Sequence, residues 1–318
     1  MDSFEGRLAV VTGGGTGMGR ELVVQLAAEG CSVATCDVHA DTMAETKQRA
    51  EKEVPPGTRV TTHLCDVSKE DQVVKFRDEV LAEHETDHVN LVFNNAGVGG
   101  GGSFVAGERE EWDRTFGICW GGVYHCSRAF VPLLVASDAG YLVNTSSVNG
   151  FWACLGPNVA HTAYSTAKFA VKGFSEALVT DFRLNAPHVK VAVVMPGHIG
   201  TDIVNNSRRV HGGPDPDDLT EADMVEVRAG LARQGLPVEG LTDEQLVLGM
   251  KMMGDGFRDG APVSAAQAAT IILDGVRNDS WRILVGDDAV ALDTAVRADP
   301  LAAYSGELGL STLGLGGR

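Results

Sequence analysis

The sequence predicts a doubly wound α/β fold, one parallel sheet of seven strands with helices on both faces. Three observations carry that prediction. Short apolar runs alternate with helically spaced segments along most of the 318 residues, the pattern of strands joined by crossover helices. The runs are continuously apolar, as strands covered on both faces must be. The first run also stops at a glycine cluster that opens straight into a helical pattern, a tight strand-to-helix turn.

Taken in order, strands are expected at 7–12, 31–37, 59–67, 88–94, 141–146, 189–195 and 281–285. Helical spacing follows the first strand as far as Gly30, and a polar helical segment follows the second and stops before Pro55-Pro56-Gly57. Ser68 with Asp71 suits a capping box for the next helix. Thr162 is a candidate cap for a helix that runs to about Asn185. Between 202 and 262 the strand signal lapses, and helices are expected near Thr220 and Thr242, the latter with Gln245 placed for a capping box. A loop-and-helix excursion after a strand's carboxyl end is where a cover over a ligand crevice belongs. The segment 202–262 therefore reads as a helical substrate lid within a single domain spanning 1–318. Its apolar set (Met224, Leu231, Leu246, Leu248, Met250, Met252, Met253 and Phe257) suits that role, methionine above all because it adapts to irregular shapes. The Gly- and Leu-rich tail, 300–318, is expected to be loosely ordered or to pack on a neighbouring subunit.

Composition narrows the class. A net charge of −17 argues against nucleic acid and anionic membrane as partners. The opening Met1-Asp2-Ser3-Phe4-Glu5-Gly6 is acidic, so no signal peptide is expected, and no apolar run approaches the ~20 residues of a membrane span. Cys31, Cys36, Cys65, Cys119, Cys126 and Cys154 are scattered through apolar segments without a Cys-x-x-Cys pair. Buried reduced thiols, and hence a cytoplasmic protein, are the expectation.

Two stretches carry chemistry. In Tyr164-Ser165-Thr166-Ala167-Lys168 a phenol and an ammonium four apart share one helix face. A free phenol titrates near ~10; a neighbouring ammonium favours the phenolate and makes it a usable base. The other stretch is Thr12-Gly13-Gly14-Gly15-Thr16-Gly17-Met18-Gly19, which joins the first strand to the first helix. Glycines there let backbone N–H groups approach a phosphate at the helix amino terminus. Asp37 ends the second strand, 18 residues past Gly19, where a carboxylate can accept from both ribose hydroxyls of an adenosine. It also opposes a 2′-phosphate: like charges ~4 Å apart at an effective dielectric of ~20 repel by roughly 4 kcal/mol before screening. With threonine at 16 and histidine at 39 in place of a cation, NAD is expected over NADP.

These stretches, with Asn94-Asn95-Ala96-Gly97, Ser147 and Pro196-Gly197, stand in the order seen in the short-chain dehydrogenase/reductase family, which the chain resembles densely from 6 to 201 and weakly from 264 to 300. The resemblance implies a Rossmann fold and a nicotinamide-dependent oxidoreductase that interconverts a secondary alcohol and a ketone, as a homotetramer or homodimer. It implies catalytic roles for Ser147, Tyr164 and Lys168. Gly13, Gly15, Thr16, Gly17, Met18, Gly19, Asp37, Asp66, Val67, Asn94, Ala96, Gly97, Pro196, Gly197, Ile199 and Thr201, with Tyr164 and Lys168, would then hold the cofactor. Ser146, on the opposite side of the strand from Ser147, is expected to be a buried hydroxyl bonded to backbone.

The chain departs from the family in two places. Cys119 falls where an asparagine is expected, and a thiol is a weak donor and acceptor. Ser147 and Tyr164 stand four residues further apart than is usual, and the extra length lies in 151–161. Phe151 and Trp152 of that loop, together with His198, are the candidate substrate contacts. A second reading, a dinucleotide-binding sensor or scaffold without turnover, draws only on Cys119. His84-Glu85-Thr86-Asp87-His88 formally matches a zinc-protease pattern, but that motif needs a sustained helix, and here a strand follows at once. No metal is expected.

Overall fold

The structure, a computed structural model, describes residues 1–155, 159–233 and 238–305. Strand β1 (Leu8–Thr12) is buried throughout and turns into helix α1 (Gly17–Ala28), which lays Leu22, Val23, Leu26 and Ala27 against the sheet. Then follow β2 (Ser32–Asp37), α2 (Ala40–Ala50), β3 (Val60–Leu64), α3 (Glu70–Glu83) and β4 (Leu91–Asn94). Helices α4 (Arg109–Phe116) and α5 (Gly122–Ala136) run on through a π-turn at Gly117–Gly121, and β5 (Gly140–Thr145), α6 (Thr162–Asn185) and β6 (Val189–Pro196) complete the centre. The remaining elements are β7 (Ile199–Gly200), α7 (Ile203–Val210), α8 (Glu221–Arg233), α9 (Asp243–Asp259), β8 (Val263–Ser264), α10 (Ala265–Arg277), β9 (Arg282–Val285) and α11 (Asp287–Ala298).

Among the described residues, seven parallel strands pair in the order β3-β2-β1-β4-β5-β6-β9, and β7 and β8 pair separately. Because side chains alternate across a strand, each strand feeds two cores. Ala9, Val11 and Val33 pack on Leu22 and Leu26 of α1 and on Ile272 and Leu273 of α10. On the other face Val10, Ala34 and Val92 pack on Val73 and Phe76 of α3 and on Phe130 and Leu134 of α5. Truncation of a residue such as Leu26 to alanine costs about 2–5 kcal/mol. This is the Rossmann arrangement, and its strand order reverses between β1 and β4, where a crevice opens beyond the carboxyl ends of the strands.

The caps differ from expectation in two places. Helix α3 starts at Glu70 without a side-chain cap; instead Ser68 N donates to Asp66 Oδ1 at 2.9 Å. Thr162 is the first residue of α6, not its cap, and its hydroxyl bonds the Gly101 and Gly102 carbonyls. The Thr242–Gln245 capping box forms. Helix α3 ends at Glu83, and Glu85 has a φ of 51°, so His84 and His88 share no helix and the zinc-protease pattern is a coincidence of spelling. Among the described residues, no helix is long and apolar enough to cross a membrane.

In 202–262, helix α9 packs on α7 and β7. Met224 and Leu246 are buried, whereas Leu248, Met252 and Met253 face solvent. Residues 156–158 of the loop and 306–318 of the tail lie outside the described residues. The nearer part of the tail is packed: Ala303 is buried, and its carbonyl accepts from Trp152 Nε1 at 2.9 Å.

Candidate active site

A crevice of about 1250 Å³ opens over β1 and β4. Gly13, Thr16, Gly17 and Met18 form its floor, Asp37, Asp66 and Val67 one end, and Asn95, Ala96, Gly97 and Thr201 the other. The floor is built by close approach. A Cβ on Gly19 would collide with the Gly13 carbonyl, so glycine there lets α1 start directly under the loop. Gly19 and Gly15 therefore shape the loop from behind and do not line the crevice. Gly15 N donates to Asp37 Oδ2 at 3.0 Å, tying the loop to the end of β2. The first turn of α1 carries no acidic side chain, which leaves the positive end of the helix dipole available to an anion.

Asn94 is a correction. Its amide lies beneath the crevice, donating to Asn144 Oδ1 at 2.8 Å and Ser127 Oγ at 3.2 Å, and Asn144 continues to Ser175 Oγ at 3.0 Å. This buried polar chain staples β4 to β5, α5 and α6. Its neighbour Asn95 is the one on the crevice wall, with its amide on the Thr12 carbonyl at 3.1 Å. Strand alternation was the signal that could have separated the two.

The chemical groups meet on α6. Lys168 is 2% exposed, and its Nζ donates to the Thr145 carbonyl at 2.9 Å and lies 5.3 Å from the centroid of the Tyr164 ring. Burial raises the Tyr164 pKa; Lys168 pulls it down, Cys119 raises it, and a hydrogen bond with Ser147 lowers it. The net direction is upward, with burial the largest cause and the Lys168 ammonium opposing it. Ser147 Oγ also accepts from Asn149 N at 3.1 Å. Ser146 Oγ donates to the Lys168 carbonyl at 2.7 Å, the buried backbone bond expected of it. Cys119 sits in the π-turn, and its thiol bridges both polar atoms of Val98, donating to the carbonyl at 3.2 Å and accepting from the N–H at 3.5 Å.

Several expected contacts lie elsewhere. Trp152 is fully buried with Val148, Ala289, Leu292 and Ala303, and so faces away from the crevice. Phe151 packs at the edge of the same cluster, with the Arg282 guanidinium 5.8 Å over its ring. The His198 ring is engaged by the Phe257 carbonyl at 2.7 Å, and the His198 backbone N–H donates to Asp288 Oδ2 at 2.6 Å. The Cβ of any larger residue at Gly197 would overlap that carboxylate. Glycine there makes room for Asp288, and Gly197 does not line the crevice. Pro196 and Ile199 are buried in the sheet and its core.

Helix α7 closes the far end. Asn206 Nδ2 donates to Thr16 Oγ1 at 3.0 Å, Gly99 N donates to Ser207 Oγ at 2.7 Å, and the His211 ring reaches the Gly99 carbonyl at 2.8 Å. Val210 joins Val98, Cys119 and Tyr164 in one apolar cluster, so Tyr164 lies behind α7 rather than on the open wall. Nothing local in the sequence announces these bonds.

Residues 7–211 match the family model described as short chain dehydrogenase. The chain belongs to the short-chain dehydrogenase/reductase family and is an oxidoreductase of that family. It is 32% identical over 297 residues to SadH of Mycobacterium tuberculosis, named as a candidate oxidoreductase, covering 93% of this chain and 92% of that protein. The crystal structure of a short-chain dehydrogenase/reductase from Burkholderia phymatum in complex with NAD superposes with a TM-score of 0.71 at 26% identity, covering 94% of this chain and 92% of that one. A metagenomic short-chain oxidoreductase in complex with NADP gives 0.53 at 29% identity, covering 61% and 83%.

Proposed function

We propose that the chain is an NAD-dependent oxidoreductase that interconverts a secondary alcohol and a ketone, with Tyr164 as the acid and base. The observation that carries this reading is the buried Lys168 ammonium set 5.3 Å from the centroid of the Tyr164 ring. The glycine floor, the open α1 terminus and Asp37 fit a dinucleotide. When bound, its nicotinamide supplies the hydride acceptor or donor. Tyr164 gives its proton to a ketone oxygen or takes one from an alcohol. Ser147 donates to the same oxygen and stabilises charge that develops there. Lys168 holds the phenol from below and keeps N–H donors beyond the one given to Thr145 for the cofactor ribose.

Two features favour NAD over NADP. Asp37 stands where the ribose would lie, and Arg20, a cation that lines the same crevice, is committed to both Glu45 oxygens at 2.9 Å each. The Asp202–Arg258 pair and the bonds of α7 support a cover over the site, with α7 as the part that closes. Cytoplasmic residence belongs to the same reading and rests on the buried thiols Cys31, Cys36, Cys65, Cys119 and Cys126. Assembly as a homotetramer or homodimer does too, supported by the exposed Tyr124, Phe169 and Leu184 on α5 and α6.

The deciding experiment is turnover of NADH with a panel of ketones by the intact chain and by Tyr164→Phe. Activity should vanish in the variant while NADH still binds. Retention of activity within about tenfold, only ~1.4 kcal/mol of barrier, would require another acid. No turnover with any ketone would favour the sensor or scaffold reading.

A further inference from the structure

Tyr164 and Lys168 share one face of α6 at a spacing of four, and His161, the residue just before the helix, extends that stripe with its ring against that of Tyr164. The inner end of the stripe is closed, because Lys168 is tied to β5 and the phenol is packed against Cys119 and Val98. A substrate whose oxygen meets Tyr164 and extends away from that closed end comes within reach of His161. That imidazole lies with its ring centroid 4.7 Å from that of Tyr164, tilted by 47°. Among the described residues its nitrogens make no hydrogen bond, and neither is sealed from solvent.

The position is held firmly. Thr162 N donates to the Gly102 carbonyl and Ala163 N to the Gly101 carbonyl, both at 3.0 Å, which fixes the first turn of α6 against the loop after β4. Trp112 Nε1 adds a bond to Thr162 Oγ1 at 3.2 Å. Burial holds the His161 pKa down at about 4, so the ring is neutral at physiological pH and offers one donor and one acceptor. A bound substrate strips water from it, and an imidazole left without a partner then opposes binding.

We propose that His161 contacts the substrate and selects compounds with a second oxygen on the carbon next to the reacting one, that is α-hydroxy ketones and vicinal diols over simple ketones and alcohols. The assignment rests on Tyr164 being the acid and base, since that fixes where the reacting oxygen lies. A neutral ring serves either a hydroxyl or a carbonyl at the second position, so one residue reads both the oxidised and the reduced partner.

Benzoin and deoxybenzoin differ only in that hydroxyl. Their affinities for the NADH-saturated protein, measured by calorimetry, test the assignment without requiring turnover. Benzoin is expected to bind about tenfold tighter, the scale of one net hydrogen bond. The preference should collapse towards unity in His161→Phe and return in part in His161→Gln, which restores a donor and an acceptor. Equal affinities in the unmodified protein, no binding of benzoin, or a preference that survives in His161→Phe would overturn it. If the preference behaves as expected but neither compound is turned over, benzoin is a ligand rather than a substrate: His161 still reads the second oxygen, and the ketone panel alone decides the dehydrogenase reading.

Discussion

Lys168 Nζ lies 5.3 Å from the centroid of the Tyr164 ring while donating to the Thr145 carbonyl at 2.9 Å. The ammonium is therefore positioned by the end of β5 and acts on the phenol from a fixed point. Its effect opposes burial, which dominates and raises the phenol's pKa. A raised acid stays protonated to higher pH, so ketone reduction should hold through neutral pH and fall in alkali, while alcohol oxidation climbs as pH rises. Lys168→Met removes the main lowering influence, so both limbs of the kcat/KM profile should shift to higher pH. Limbs that stay in place would show that the ammonium does not tune Tyr164.

Asp37 accepts from Gly15 N at 3.0 Å and from Val38 N at 2.7 Å, so its carboxylate is fixed in place at one end of the crevice. Asp37→Ala removes a repulsion of roughly 4 kcal/mol before screening and should narrow the preference for NAD by tenfold or more. Equal kcat/KM for NAD and NADP in the unmodified protein would contradict the assignment.

Helix α7 is held to the glycine loop by the Asn206–Thr16 bond and to the loop after β4 by Ser207 and His211. Few buried apolar contacts support it, the mark of a segment that opens locally. Hydrogen exchange across 203–211 should slow when NADH and a ketone inhibitor are added, and Asn206→Ala should speed it in the free protein. A segment fully protected from the start and indifferent to ligand would mean fixed packing.

Asp293 accepts from Arg282 NH1 at 2.9 Å and from Arg297 Nε at 3.0 Å, with side-chain exposures of 12% for Asp293 and 14% for Arg282. Burial raises the Asp293 pKa, but the bonds from Arg282 and Arg297 outweigh it and the net direction is downward. The contribution to stability is thus complete above the unfolded value of ~3.9 and is lost as pH falls through the lower folded value. Asp293→Asn should lower Tm at neutral pH, with a loss of stability near the low end of about 3–5 kcal/mol for a broken buried pair. The gap from the unmodified protein should close in acid. A gap independent of pH would assign the loss to packing.

The glycine loop and the Tyr164–Lys168 pair were legible because their geometry is local. Four residues of helix bring two side chains together whatever else the chain does, and a strand ending in glycines at a helix start leaves one common outcome. The separation of Ser146 from Ser147 is local in the same way, since adjacent strand residues face opposite sides. The parallel sheet was legible from runs with no polar alternation, which only a doubly covered strand tolerates.

Tertiary structure decided what depends on distant partners. Trp152 looked like a substrate contact until Ala303, 151 residues away, was seen to take its indole N–H. His198 is claimed by Asp288 and Phe257, 90 and 59 residues on, and Gly197 is glycine because that same carboxylate fills its Cβ position. The direction of the Tyr164 pKa was equally hidden: a spacing of four shows the ammonium that lowers it, but the larger influence is burial, contributed by residues as far apart in sequence as Val98 and Val210. A short stretch specifies which groups can meet, whereas desolvation is set by everything packed around them.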